Sequence, residues 1–253
     1  MIDFHTHILP KMDDGSRGTE ESLRMLREES SQGVSAVVLT PHYYAEKERP
    51  EKFLERREAS ERRLSEVIGE SGEGGSLPEL FLGAEVKVFS GISSLELLPE
   101  LAIRGTRYIL LEMPFEPWPE SVFRELNGIK ARGLHPIIAH LERYLQLQKK
   151  TDNIERLMDS DVLIQCNAEF FLQGFKSRKA FSLLKEDRIH LLGSDCHNLT
   201  SRPPNIGSAL ALIEKKNGRD AVERIMHRSK TVLSSVRRES FLREMNVHNF
   251  YFV

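Results

Sequence analysis

Short apolar runs alternate with longer amphipathic stretches along the chain. Residues 2–7, 36–40, 80–89, 108–113, 135–139, 162–166 and 189–193 have the length and aliphatic content of buried strands. Most are separated by segments with helical spacing. Residues 19–32 carry acids in their first turn and end at Gly33, and residues 51–70 form a charged helix. Residues 71–76 read as a Gly-rich loop, the chain from Asn205 onward as helical, and residues 249–253 as an apolar end. Seven strands interleaved with helices predict a parallel sheet, closed or nearly closed into a barrel at this length. Barrels of this kind carry their active residues at the C-terminal ends of the strands.

Metal-binding residue types lie at those ends. His5-Thr6-His7 closes the first run, and His42, Glu112, His140 and Asp195-Cys196-His197 close later ones, while Glu85 sits inside its run. Residues i and i+2 of a strand share a face, so His5 and His7 point together, as do Asp195 and His197. Imidazole and carboxylate donors suit zinc, manganese or iron, and bridging carboxylates hold such ions a few ångströms apart. So many donors exceed the needs of one ion. An acid embedded in an apolar strand, such as Glu85 or Glu112, is costly unless paired or metal-bound, so an inward ion pair with Lys or Arg is the competing reading. A lone histidine is more often a satisfied core residue than a ligand, but the repeated placement favours a metal centre.

Bulk properties narrow the class. The 253 residues are expected to form one domain over residues 1–253. Charged residues make up 29% and nearly cancel to a net charge of -2, which disfavours a nucleic-acid arm or a polybasic membrane patch. No run approaches the ~18 apolar residues of a membrane helix, and no basic-then-apolar leader opens the chain. Two cysteines do not make a disulfide framework, so a reduced cytoplasm is the expected location.

The segment His5-Thr6-His7-Ile8-Leu9-Pro10, continuing to Asp13-Asp14-Gly15-Ser16, resembles the first motif of the PHP (polymerase and histidinol phosphatase) superfamily. More narrowly it is similar to the bacterial manganese-dependent protein-tyrosine phosphatases of capsule and exopolysaccharide systems. Thr40-Pro41-His42, Glu85, Glu112, Ala139-His140-Leu141-Glu142-Arg143-Tyr144 and Asp195-Cys196-His197-Asn198 match the later motifs in order. The resemblance implies an α/β fold, a distorted TIM-like (β/α)7 barrel of the PHP type. It also implies three divalent ions, manganese above all, with iron or zinc as alternatives. His5, His7, Glu85 and Asp195 would hold the first, with Glu85 bridging to a second completed by Glu112 and His140. Asp14, His42 and His197 would hold the third. Asp13 can equally take the place of Asp14, and the sequence does not separate them. Leu141 and Cys196 depart from the usual pattern without affecting the chemistry.

Clustered cations lower the pKa of bound water and so supply hydroxide for attack on phosphorus. A phenolate, with a pKa of about 10, leaves without a strong general acid. What remains is neutralising the phosphoryl oxygens, a task suited to the planar donor fork of arginine. Arg143, three residues past His140, and Arg202, five past His197, match arginines of the phosphatase family and are the expected catalytic residues. The competing reading for each is a surface salt bridge. Cys196 and Arg202 also fit the Cys-x5-Arg spacing of thiolate phosphatases, but the stretch has no glycine and strand alternation turns Cys196 away from Asp195 and His197. Phe115, Trp118, Tyr43 and Tyr44 either flank a substrate ring or pack the rim, and residues 46–63 read as a solvated helix face. The expected activity is hydrolysis of phosphotyrosine on the tail of a bacterial tyrosine autokinase. A small-molecule phosphatase resembling histidinol phosphatase is the second enzymatic reading. A non-catalytic regulator is disfavoured because every ligand position is filled.

Overall fold

The computed structural model describes residues 1–248, with side chains described through Ser234; the apolar end at residues 249–253 lies outside the described residues. The strands are β1 (Ile2–Thr6), β2 (Ala36–Leu39), β3 (His42–Tyr43), β4 (Glu79–Leu82), β5 (Glu85–Lys87), β6 (Tyr108–Glu112), β7 (His135–Ile138), β8 (Leu163–Asn167) and β9 (Leu191–Gly193). All pair in parallel, in the orders β1-β2-β4 and β3-β5-β6-β7-β8-β9. Helices α1 (Thr19–Ser31), α2 (Pro50–Ser71), α3 (Glu120–Ala131), α4 (Asn153–Met158), α5 (Ala168–Leu172), α6 (Ser177–Lys185), α7 (Ile206–Asn217) and α8 (Arg219–His248), with short 3-10 turns at Ile92–Ser94, Leu98–Leu101 and Leu141–Arg143, complete the described elements.

The curled sheet meets itself at the strand tips. Asp195 N–H donates to the His5 carbonyl (2.7 Å), and His7 N–H donates to that of Cys196 (2.9 Å). Asp3 spans the same seam, its Oδ1 accepting from the N–H groups of His5 (3.0 Å) and Ser194 (2.9 Å). Gly193 allows this approach, because a Cβ there would stand 2.4 Å from the His5 Cβ. An inner apolar layer including Phe4, Val38, Leu110, Ile137 and Leu191 is capped by Val232 and Leu233 of α8. A larger outer layer seals the strands against the helices.

Two expectations are corrected. The run at residues 80–89 is not one strand, because it breaks at Gly83-Ala84: β4 pairs with β2, while β5 pairs with β3 and β6. The neighbouring chain breaks too, at Thr40-Pro41, where proline lacks the N–H that a continuous ladder needs. Glu85 therefore opens its own strand at the barrel mouth. The charged face at residues 46–63 is also not wholly solvated. Arg57 is buried, 3% exposed, and donates to the carbonyls of Gly83 and Glu100, each at 3.1 Å. A side chain thus supplies the donor that the broken ladder leaves missing, two residues before Glu85. Arg57→Ala is expected to strand both carbonyls, costing roughly 2–3 kcal/mol and lowering the melting temperature by about 5–10 °C. A melting curve unchanged within about 1 °C would mean that the guanidinium does not brace the break.

Candidate metal centre

All eleven side chains singled out in the sequence converge at the mouth of the barrel. Glu85 is the hub, its Oε2 lying 3.1 Å from His5 Nε2, 3.4 Å from His7 Nε2 and 2.8 Å from His42 Nδ1, and its Oε1 2.7 Å from His140 Nε2. Glu112 stands 3.6 Å from His140 Nε2. Asp195 Oδ1 faces His7 Nε2 at 3.3 Å and His5 Nε2 at 3.5 Å. Asp14 Oδ1 lies 3.4 Å from His197 Nε2 and 3.6 Å from His42 Nε2. The donors fall into three overlapping groups: His5, His7 and Asp195; His42, Glu85 and Glu112; and His7, Asp14, His42 and His197.

The backbone departs from regular strand geometry to aim some of these groups. Phe4 belongs to the inner apolar layer, yet His5 meets Gln165 in the site; a register shift between Asp3 and Thr6 accommodates both. Ala139 also lies in the inner layer, so alternation would turn His140 outward. His140 instead adopts a left-handed backbone, φ 33°, and Asp195 another, φ 54°. Such conformations cost about 1–3 kcal/mol each and persist where the surroundings impose them.

The two adjacent aspartates have separate tasks. Asp13 Oδ2 accepts from His7 Nδ1–H (2.7 Å) and from the His42 N–H (2.8 Å), and Oδ1 accepts from the Gly15 N–H. Asp14 is 69% exposed on its side chain and turns its carboxylate toward His42 and His197. Gly15 permits this turn, since a Cβ there would meet the His7 carbonyl at 2.2 Å. Arg143 and Arg202 reach the same carboxylate from two loops: Arg143 Nη2 contacts Asp195 Oδ2, and Arg202 Nη2 lies 2.6 Å from Oδ1. Arg202 returns to the site because Asn198 Oδ1 gathers the N–H groups of Thr200, Ser201 and Arg202, bringing the Arg202 carbonyl to the His197 N–H (2.9 Å).

The donor set fits divalent ions. Three histidines have Nδ1–H committed outward: His7 to Asp13, His197 to the Asp195 carbonyl (2.9 Å), and His5 to Gln165 Oε1 (3.3 Å). The Gln165 oxygen is assigned by the His140 N–H that donates to it at 2.8 Å. Each Nε2 is thereby left facing the cluster, the arrangement that metal-bound histidines adopt. His5 Nε2 and His7 Nε2 approach to 3.1 Å. Glu85 Oε2, His42 Nδ1 and His197 Nε2 are buried without a hydrogen-bond partner; the 2.8 Å approach of the first two lacks hydrogen-bond alignment. Unpaired polar atoms that converge in a buried space are destabilising unless a cation lies among them.

Burial pushes the Asp195 and Glu85 carboxyls up, but the histidines around them, with Arg143 beside Asp195, hold both well below the usual carboxylate range. Burial, reinforced by the charge of Glu85, raises Glu112 to about 7. Burial lowers His140 and His197 to about 4, so both imidazoles stay neutral and able to donate a lone pair near pH 7.

Residues 1–234 match the family described as "Capsular polysaccharide synthesis, CpsB/CapC". The chain belongs to the CpsB/CapC family. Among its relatives is the tyrosine-protein phosphatase CpsB of Streptococcus pneumoniae, 30% identical over 233 residues, covering 86% of this chain and 91% of that protein. The tyrosine-protein phosphatase YwqE of Bacillus subtilis strain 168 is 31% identical over 224 residues, covering 86% and 85%. A solved structure reported with YwqE and CpsB, described as unique metal-dependent tyrosine phosphatases, superposes with a TM-score of 0.77 at 26% identity. It covers 93% of this chain and 95% of that one. The distorted parallel barrel of this CpsB/CapC member is therefore the PHP-type fold of that structure.

Three contributors to the site in this CpsB/CapC chain are not evident from the sequence motifs. Gln165 fixes His5 and His140, Asn167 donates to Asp195 Oδ2 (2.8 Å), and Arg57 braces the approach to Glu85. The signal for the first two was two polar residues at i and i+2 ending an apolar strand, Gln165-Cys166-Asn167. Cys196 is fully buried and its thiol is pushed well above its ordinary value by burial, so it is no nucleophile at neutral pH. Trp118 is a packing residue, buried against Phe123 and Tyr144 with its indole N–H on the Pro114 carbonyl (2.8 Å). Tyr43 packs on Phe53, and Tyr44 stacks on His42.

Proposed function

We propose that this chain is a metal-dependent protein-tyrosine phosphatase. The observation that carries the reading is the meeting of three overlapping donor groups with two arginines at one carboxylate, Asp195. The donors would hold three divalent ions: His5, His7 and Asp195 at one, Glu85, Glu112 and His140 at the second, and Asp14, His42 and His197 at the third, with Glu85 shared. Manganese is the expected metal, and iron or zinc accept the same N/O set. Bound ions would supply Lewis acidity and a water of near-neutral pKa.

The chain's own groups do the rest. Arg143 and Arg202 each have more N–H donors than Asp195 uses, and the spare ones can grip the oxygens of a phosphoryl group. Asn167 holds Asp195 in place, and Asp13 fixes the tautomer of His7. Tyrosine leaves as a phenolate or takes its proton from water, so no dedicated acid is required. The substrate we infer is the phosphorylated tail of a bacterial tyrosine autokinase in capsular or exopolysaccharide synthesis. No helix among the described residues is long and apolar enough to cross a membrane, in keeping with action on that tail in the cytoplasm.

Side-by-side hydrolysis of a phosphotyrosine peptide and histidinol phosphate tests the substrate class. The peptide is expected to be preferred by roughly tenfold or more in kcat/KM, about 1.4 kcal/mol or more of differential transition-state binding. Preference for histidinol phosphate would instead mark a small-molecule phosphatase.

A further inference from the structure

Among the described residues three large apolar side chains are exposed: Phe115 at 44%, Leu147 at 39% and Phe175 at 80%. Phe115 and Leu147 follow β6 and β7, and Phe175 lies in the turn between α5 and α6, after β8. Singly exposed apolar residues are ordinary; Phe175, the most exposed of the three, also lines a cavity that reaches the site. This groove of about 1070 Å³ is lined by Arg143, Asp195 and Arg202 of the site and also by Phe175 and Lys179. Enclosed small-molecule pockets run to ~300–1,000 Å³ and bury most of their ligand. An open groove of this size exceeds what one phosphotyrosyl side chain fills.

The charges of its walls say what else lies there. Lys176, Arg178 and Lys179 cluster around Phe175, with no acid in the first turn of α6, and Arg178 stacks on the Phe175 ring at 4.6 Å. Lys149, in the same walls, joins Lys176 and Lys179 in having no ion-pair partner among the described residues. Of the acids in the walls, Asp159 is paired with Arg188, while Glu142, Glu155 and Glu169 belong to other elements and Glu186 to the far end of α6. The unpaired positive charge is therefore local to the turn at Phe175 and not spread over the whole groove.

We propose that this groove seats the polypeptide flanking the phosphotyrosine, with an apolar side chain against Phe175 and acidic side chains beside Lys176 and Lys179. The inference rests on the phosphotyrosine reading and adds to it a chemistry for the neighbouring residues. It makes the enzyme selective for sequence around the phosphate, through contacts that do not touch the reacting atoms.

The test uses two fluorescent peptides that carry a non-hydrolysable phosphotyrosine mimic and a leucine, one flanked by Asp and Glu and the other by Lys, titrated by anisotropy against the metal-loaded protein. The acidic peptide is expected to bind roughly tenfold more tightly, since several exposed charge pairs change sign together. The K176E/K179E variant should reverse that preference. Phe175→Ser should weaken both peptides without moving the melting temperature, because the ring is exposed. All variants should hydrolyse p-nitrophenyl phosphate, which has no flanking chain, as the parent does. Equal binding of the two peptides, or an unchanged preference in K176E/K179E, overturns the groove. Flank-dependent binding by a protein that cannot hydrolyse p-nitrophenyl phosphate overturns the phosphatase reading and leaves the groove standing.

Discussion

Glu85→Gln is expected to lower phosphate release by a thousandfold or more and to abolish the rise in melting temperature that divalent metal gives the parent. Glu85 touches four imidazoles, His5, His7, His42 and His140, from its two oxygens. The amide keeps the volume but replaces one anionic oxygen by an NH2 donor, which turns protons toward the place a cation must occupy. Losing a shared ligand removes several kcal/mol of transition-state charge stabilisation, and about 4 kcal/mol is a thousandfold. Metal stabilises the folded protein by mass action, so weakened binding shows as a lost thermal shift independently of turnover. A variant that still gains melting temperature with metal and turns over at more than a tenth of the parental rate would remove Glu85 from the centre.

Arg143→Ala and Arg202→Ala are expected to keep the metal and lose rate. Removing one preorganised donor from a developing anion costs ~10²–10³ in kcat. Both guanidiniums converge on Asp195, so they act on the same small volume, and the double variant should lose less than the product of the two single losses. Arg143→Lys should recover charge without the fork and restore only part of the rate. Metal content by mass spectrometry separates the roles: a fall in bound metal equal to the fall in rate would make the arginines supports of Asp195.

Much of this architecture was legible in the chain because alternation and strand ends are local properties. Glu112 follows from period-two reasoning and the barrel rule. His5, next to the inward Phe4, does not, and is admitted by the register shift between Asp3 and Thr6. His140 does not either, since its position after Ala139 calls for an outward side chain and only its left-handed backbone turns it in. Nor does the two-part strand around Gly83, whose continuity is broken by long-range pairing and by Arg57 from a helix that reads as solvated. Asp13 and Asp14 lie in a turn, where strand alternation has nothing to say, and only their three-dimensional partners separate them. Gln165 and Asn167 are uncharged polar residues whose work is visible only through the groups they orient.

The converging histidines and carboxylates, and not the buried thiol of Cys196, are expected to carry the chemistry. The direct measurement is phosphate release from a phosphotyrosine peptide after chelation and dialysis, after reconstitution with manganese, and after alkylation with iodoacetamide. Chelation is expected to remove activity to below about a hundredth, manganese to restore it, and alkylation to leave it within about twofold, as buried protonated thiols react slowly. Full activity in the chelated protein, together with its loss on alkylation, would place the chemistry at the thiol and not at the metal ligands.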